Sequence, residues 1–314
     1  MRIVSLSPAA TEIVCAIGLE HELVAVTHAC DWPPYVVGKP VVTTGPAPGP
    51  ATAIPTFSGG TQRHVMDLVH GGQSLRSIDI EAVAASEPDL ILAHESCRIC
   101  AVEDEQVRAL GRKIGDDATV LSLEPTSIEG ILNAISTIGA MTEAEEAAMD
   151  VVASLRARLG AVETRVQERR QAGHRPPRVV GLQWLKPPFA AGHWVPEQIR
   201  RAGGWDLLGE DGGMARPTSW ESIAEVSPEM LFLMPAGSRL ADVQAAWGRM
   251  TVPTWVQEIP AAVLGAIFAL DAHAYFDRPG PRVIDGVEVL AEVMDPDGFI
   301  DIAPQDGWAP VGSS

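Results

Sequence analysis

Apolar positions along the chain come in short continuous runs separated by longer segments in which they recur every three or four residues. Residues 2–6 (RIVSL) form the first run, and Ser7-Pro8 then opens a helix through about Gly18, with proline in its first turn and glycine at its end. A second run, 22–27 (ELVAVT), feeds the segment His28-Ala29-Cys30-Asp31-Trp32-Pro33-Pro34. After Val41–Thr43, residues 44–62 are rich in Gly, Pro, Ser and Thr and have no period, so they predict a loop, and no conformation is read for 44–76. From Ile78 a helix (DIEAVAAS) and a strand (DLILAH) follow, then His94-Glu95-Ser96-Cys97-Arg98-Ile99-Cys100, a helix over about 102–113 and a strand over 118–123. Thr126 with Glu129 and Thr142 with Glu145 have capping-box spacing and start two helical stretches, the second reaching about Gln171. Pro176-Pro177 breaks it.

The second half repeats this grammar. A strand at 178–185 (RVVGLQWL) is followed by a loop at 186–194, a helix from Pro196, a turn at Gly203-Gly204 and a helix near 219–226. Then come a strand at 230–234, a helix near 239–249, a strand at 263–270 and a last helix from Pro281. Alternating strands and helices predict an α/β fold with two Rossmann-like lobes, each built on a parallel sheet, joined by a long helix. The expected bounds are 1–125, a connecting helical backbone at 126–175, and 176–314, with a ligand cleft between the lobes. An internal echo supports the duplication: SIDIEAVAASEPDLIL (77–92) and TSWESIAEVSPEMLFL (218–233) each place Glu, then Pro seven residues later, then an acidic residue and an apolar strand.

Charge narrows the partners. Among 314 residues, 23 Lys and Arg against 41 Asp and Glu leave a formal charge of −18, which repels phosphate backbones and argues against nucleic acid. No apolar run approaches the roughly 18–20 residues that span a bilayer, so the chain is not expected to cross a membrane. Met1 is followed at once by the first strand, without a basic and apolar leader, which predicts a cytoplasmic protein, or a periplasmic one if a leader was trimmed. Cys15, Cys30, Cys97 and Cys100 are then expected as thiols.

In open α/β sheets, ligands bind beyond the carboxyl ends of the strands, and the unusual residues fall at those ends. His28 and Cys30 follow one strand; His94, Cys97 and Cys100 another; His193 a third; Asp271, His273 and Tyr275 a fourth. Cys97 and Cys100 at a helix start suit a soft metal, a redox pair or simple packing, and with His28, Cys30 and His193 the set suits zinc or iron. Cys15, within a helix, reads as packing. Trp32, Trp184 and Trp194 sit on or beside the same loops and suit a large planar ligand, whereas Trp205 and Trp220 read as core caps.

RIVSLSPAATEIVCAIG, SIDIEAVAASEPDLIL and the long helix resemble class III substrate-binding proteins. The resemblance implies two Rossmann-like lobes on a helical backbone that bind cobalamin, haem or ferric siderophores for ABC importers. THACDWPP, SCRICAV, GLQWLKPPFAAGHWVPE and AYFDRPGPRVIDG are similar to its cobalamin-binding subgroup. It further implies that Glu81 and Glu221, the pair aligned by the internal echo, dock on an ABC permease; Glu221 also stands three residues after Thr218, the spacing of a capping box.

Two functions follow as expectations. In one, the chain encloses cobalamin or a similar small-molecule metal chelate, with His28 or His193 as axial contact and Trp32, Trp184, Trp194, Asp271, Tyr275 and Arg278 around the ligand. In the other, it is a metalloenzyme in which His28, Cys30, Cys97, Cys100 and His193 share zinc or iron, Asp271 or His273 acts as acid or base, and Tyr275 and Arg278 grip a substrate.

Overall fold

The protein is described by a computed structural model covering residues 1–44, 77–94, 110–111, 113–114 and 118–312, with the His94 side chain left aside. Cys97, Cys100, most of the helix expected at 102–113 and all but Thr44 of the loop expected at 44–62 lie outside the described residues. The chain divides into two compact units. Among the described residues, unit one comprises those up to Pro125 with Gly130–Val152, and unit two comprises Thr126–Glu129 with those from Ala153 onward.

Unit one is built on four parallel strands in the order β2-β1-β5-β6: β1 Ile3–Ser5, β2 Leu23–Val26, β5 Leu90–His94 and β6 Thr119–Leu123. Two residues each from β3 (Thr43–Thr44) and β4 (Ser77–Ile78) pair antiparallel beside it. Continuous apolar runs become central strands because both faces are covered, and Ile3, Val4, Ile91 and Leu92 are fully buried. Helix α1 (Pro8–Ala16) starts where β1 ends, with Ser7 as its N-cap and Ile13 and Val14 buried. Helix α2 (Ile80–Ala85) is capped by Asp79, whose Oδ1 accepts the Ala82 N–H at 2.9 Å.

The two expected helical stretches are α3 (Ile128–Met141) and α4 (Glu145–Gln171), separated by a break in which Glu143 takes a φ of 55°. Thr142 does not cap α4 as its spacing with Glu145 predicts: its hydroxyl donates back to Ile138 O at 2.8 Å, closing the end of α3. The Ile128 N–H, at the start of α3, donates to Glu197 Oε2 at 2.8 Å, and Glu129 pairs with Arg156. Beyond Val152, α4 is clamped within unit two. Arg158 pairs with Asp285 at 2.6 Å and Glu288 at 2.5 Å, which together raise its pKa, and Arg169 takes Asp295 in a two-pronged contact at 2.5 and 2.6 Å.

Unit two carries a seven-stranded sheet whose centre is parallel: β9 (Trp205–Asp206), β7 (Arg178–Leu185), β11 (Met230–Leu233) and β12 (Ile267–Leu270). Its margins are antiparallel. The expected loop at 186–194 turns straight back as β8 (Pro188–Ala190), which pairs with β10 (Arg216–Pro217), and β13 (Trp308–Pro310) closes the far edge on β12. The strand expected at 263–270 starts only at Ile267, because Pro260 opens a short helix, Pro260–Val263. Helix α5 (Val195–Arg201) leads from β8 toward β9, and α6 (Trp220–Glu225) is capped by Ser219, whose Oγ accepts the Ser222 N–H at 3.1 Å. Thr218, the cap suggested by the spacing to Glu221, is one residue too early.

Candidate functional site

In unit one, the ends of β1 and β2 carry a buried network of hydroxyls. Ser5 Oγ donates to Ser7 O at 2.8 Å, and Thr11 Oγ1 donates to Ser5 Oγ at 2.9 Å. Thr11 Oγ1 also lies 3.0 Å from Cys30 Sγ. A hydroxyl has one proton, and that of Thr11 is committed to Ser5, so the Cys30 S–H is the donor in this contact. Cys30 is therefore held as a buried thiol. Cys15 is also buried, and desolvation raises its pKa against an opposing hydrogen bond from Tyr35, in keeping with a packing role.

His28 follows β2 by two residues. Its backbone N–H donates to Thr43 Oγ1 at 3.0 Å and its Nδ1 lies 2.7 Å from the same oxygen, which donates in turn to Thr27 Oγ1 at 2.9 Å. Thr27 and Thr43 are buried and His28 is half-buried. Trp32, four residues further on, is 43% exposed.

In unit two, His193 sits in the turn between β8 and α5. Its φ of 55° lies in the left-handed region, and two backbone bonds hold it there: His193 N–H to Gly213 O at 2.5 Å and Gly212 N–H to His193 O at 2.8 Å. Gly192 before it donates its N–H to Gln183 Oε1 at 2.8 Å. Only glycine fits at 192, because a Cβ would fall within 3 Å of the backbone of Gly213, Met214 and Ala215. Burial lowers the His193 pKa, keeping the imidazole unprotonated to lower pH than a free one. The Trp194 ring lies 5.8 Å from it, tilted by 42°, with a buried Nε1 that has no hydrogen-bond partner among the described residues. Trp184 lies on β7 and donates Nε1–H to Lys186 O at 3.2 Å.

Asp271, at the end of β12, spends both oxygens on backbone: Oδ1 accepts the Ala274 N–H at 2.9 Å and Oδ2 the Leu240 N–H at 3.4 Å. His273 and Arg278 are buried together, with Arg278 Nη2 2.7 Å from His273 Nε2. Tyr275 is half-buried, which raises its pKa, and Arg282 stands 5.9 Å from the centre of its ring.

His28, Cys30, His193 and Asp271 thus follow strands, Trp184 lies within β7, and Cys97 and Cys100 lie outside the described residues. Among the described residues no three His, Cys, Asp or Glu side chains form a group able to hold a metal ion. Glu81 and Glu221 stand in the first turns of α2 and α6, both exposed, and Glu81 meets Lys113 at 2.9 Å. Sequence reading missed Thr11, Thr27, Thr43 and Gln183, the side chains that hold Cys30, His28 and Gly192. Short hydroxyl or amide residues in strands carry no spacing signal, and Thr43 is fifteen residues from the histidine it holds.

The family profile of periplasmic binding proteins matches residues 3–272. The chain belongs to the periplasmic binding protein family. A vitamin B12-binding protein from Vibrio cholerae serotype O1 is 26% identical over 295 residues, spanning 93% of this chain and 88% of its own length. A crystal structure of the periplasmic vitamin B12 binding protein of Vibrio cholerae superposes with a TM-score of 0.67 at 23% identity, covering 94% of this chain and 96% of that one. A periplasmic heme binding protein from Pseudomonas aeruginosa reaches a TM-score of 0.74 at 19% identity, with 100% and 99% covered. These likenesses bear out the α/β fold with its long connecting helix. As a periplasmic family, it gives no support to the cytoplasmic expectation, and no helix among the described residues is long and apolar enough to cross a membrane.

Proposed function

We propose that this periplasmic binding protein captures cobalamin or a closely related metal chelate in the periplasm and passes it to an ABC permease. The observation that carries the reading is the colinear similarity to a vitamin B12-binding protein over 93% of the chain. The strand ends add suitable chemistry: an exposed indole at Trp32, a histidine in each unit, and Trp194 beside His193. In this reading Tyr275 and Arg278 meet the ligand's periphery, and Glu81 and Glu221 meet the permease. Zinc or iron held directly by the chain is the weaker reading. Cys30 holds its proton toward Thr11, and Asp271 is occupied by backbone N–H groups. The test is titration of the purified protein with aquocobalamin and, separately, hemin, followed by absorbance and calorimetry. Saturable one-to-one binding of aquocobalamin is expected; failure to bind either chelate would sink the reading.

A further inference from the structure

We propose that Gln198 is a positioning residue, whose side-chain amide ties down both ends of the segment 276–282 and so holds Tyr275 and Arg278 in a fixed relation to the turn of His193. Gln198 is fully buried in α5, which begins two residues after His193. Its Nε2 donates to Tyr275 O at 3.2 Å and to Val283 O at 2.8 Å. An amide nitrogen carries two hydrogens, and these carbonyls take both. The same pair sets the orientation of the amide, because its oxygen turned toward two carbonyls would repel both. Oε1 is left buried without a hydrogen-bond partner among the described residues, so the group is placed for its nitrogen.

Tyr275 ends the short helix Ala272–Tyr275, and Val283 begins the last helix, Val283–Met294. Between them runs FDRPGPR, whose prolines already limit the backbone and whose two ends one amide fixes. A segment pinned at both ends has less freedom to lose when a ligand orders it. Within it Arg278 is buried against His273 and Arg282 stands by the Tyr275 ring, so the side chains are held along with the backbone.

A second observation points the same way. Gly286 stands inside the last helix, where glycine is unfavourable, yet a Cβ there would fall within 3 Å of Gln198 Nε2 and Tyr275 O. The helix lacks a side chain at the one place where the amide crosses it to reach Tyr275. That the aligned residues meet a ligand rests on the proposed function; the tie itself does not.

The experiment uses the full chain. In the ligand-free parent, the Gln198 side-chain amide protons are expected to exchange with deuterated water about 100-fold more slowly than those of exposed glutamines. Tyr275 is one of two tyrosines, so 13C labelling of tyrosine rings gives its signal beside that of Tyr35 in unit one. Gln198→Met keeps the length and removes the donors; it should shift the Tyr275 signal and leave Tyr35 unmoved, and Gly286→Ala should do the same. Fast exchange in the parent, or a Tyr275 signal unmoved in both variants, overturns the tie. Should Gln198→Met fold poorly, as a melting curve would show, Gly286→Ala and the exchange in the parent decide in its place.

Aquocobalamin then tests the purpose. Its binding is expected to weaken about tenfold in Gln198→Met and in Gly286→Ala. Val243→Ala is the control: it trims a core cluster that includes no residue of 275–283, and it should lower Tm while binding as the parent does. Parent-like affinity in a variant whose Tyr275 signal has shifted, or an equal loss in Val243→Ala, overturns the positioning role and leaves the proposed function standing. No binding by the parent overturns the proposed function and the role toward the ligand together, while the exchange rates and ring signals still decide the tie.

Discussion

Arg278 Nη2 lies 2.7 Å from His273 Nε2, and both side chains are about 7% exposed. A guanidinium donates and never accepts, so His273 accepts at Nε2 and holds its proton on Nδ1. The His273 backbone N–H donates to Ser238 O at 3.0 Å, and the Gly237 N–H is bonded to Asp277 Oδ2. The loops after β11 and β12 are thereby tied into one piece. Arg278→Leu keeps much of the bulk but deprives a buried acceptor of its donor, at a cost of about 1–3 kcal/mol. Urea unfolding should read this as a lower midpoint with an unchanged slope; a midpoint equal to that of the parent would show that the pair contributes nothing to folding.

Asp206 gives unit two a pH-dependent stability. Its Oδ1 accepts the N–H groups of Leu208 at 3.1 Å and Gly209 at 2.9 Å, while Oδ2 is buried with no hydrogen-bond partner among the described residues. Burial is the main cause that lifts its pKa from 3.8 to about 6, against those two N–H groups; Asp211 adds to the rise and Arg216 opposes it. The folded state thus binds this proton more tightly than the unfolded chain. The stabilising contribution is complete below about pH 4 and is lost as pH rises through about 6. Asp206→Asn is expected to be more stable than the parent by about 3 kcal/mol at pH 8, an advantage that shrinks toward zero near pH 4. Melting curves across that range check it, and a difference independent of pH would refute the buried-carboxylate account.

Gly192→Ala tests the turn that presents His193. The added methyl would meet the backbone of Gly213, Met214 and Ala215, which cannot rotate away as a side chain can. Separating the segments strains the His193–Gly213 and Gly212–His193 bonds. A loss of about 1–3 kcal/mol is expected, together with a changed His193 imidazole signal in an NMR titration. Parent-like stability and an unmoved signal would mean that the turn yields freely.

Legibility from sequence followed how local the controlling interaction is. The run RVVGLQWL was readable as a strand at its full length because its consecutive residues Val179–Leu182 are all buried, so it needs no pattern beyond apolarity. Helix α4 ends where expected, at Gln171, because Gly173 and the two prolines stop it locally. By contrast, β8 begins at Pro188 and β13 ends at Pro310, and each is a strand only because a neighbour offers an edge. The candidate site divides in the same way. Positions of His28, His193 and Asp271 beyond strands follow from the α/β grammar. Their partners Thr43, Gly213 and Leu240 are 15, 20 and 31 residues away, and only the fold brings them together.

His28 and His193 belong to different units, and comparing their alanine variants asks whether one chelate uses both. Burial lowers the His193 pKa, so at neutral pH its imidazole is a free base, while His28 has its Nδ1 occupied by Thr43. If both serve the same bound aquocobalamin, His28→Ala and His193→Ala should each weaken binding about tenfold or more, or about 1.4 kcal/mol. Because a ligand that binds only the folded chain stabilises it by mass action, about 2.7 kcal/mol at a hundredfold excess over Kd, each variant should also lose part of the ligand-induced rise in Tm. Calorimetry and melting curves with and without aquocobalamin give both readouts on the same samples. Full affinity and a full Tm rise in His193→Ala, with both lost in His28→Ala, would assign the chelate to unit one alone and leave His193 as a residue that shapes its own turn.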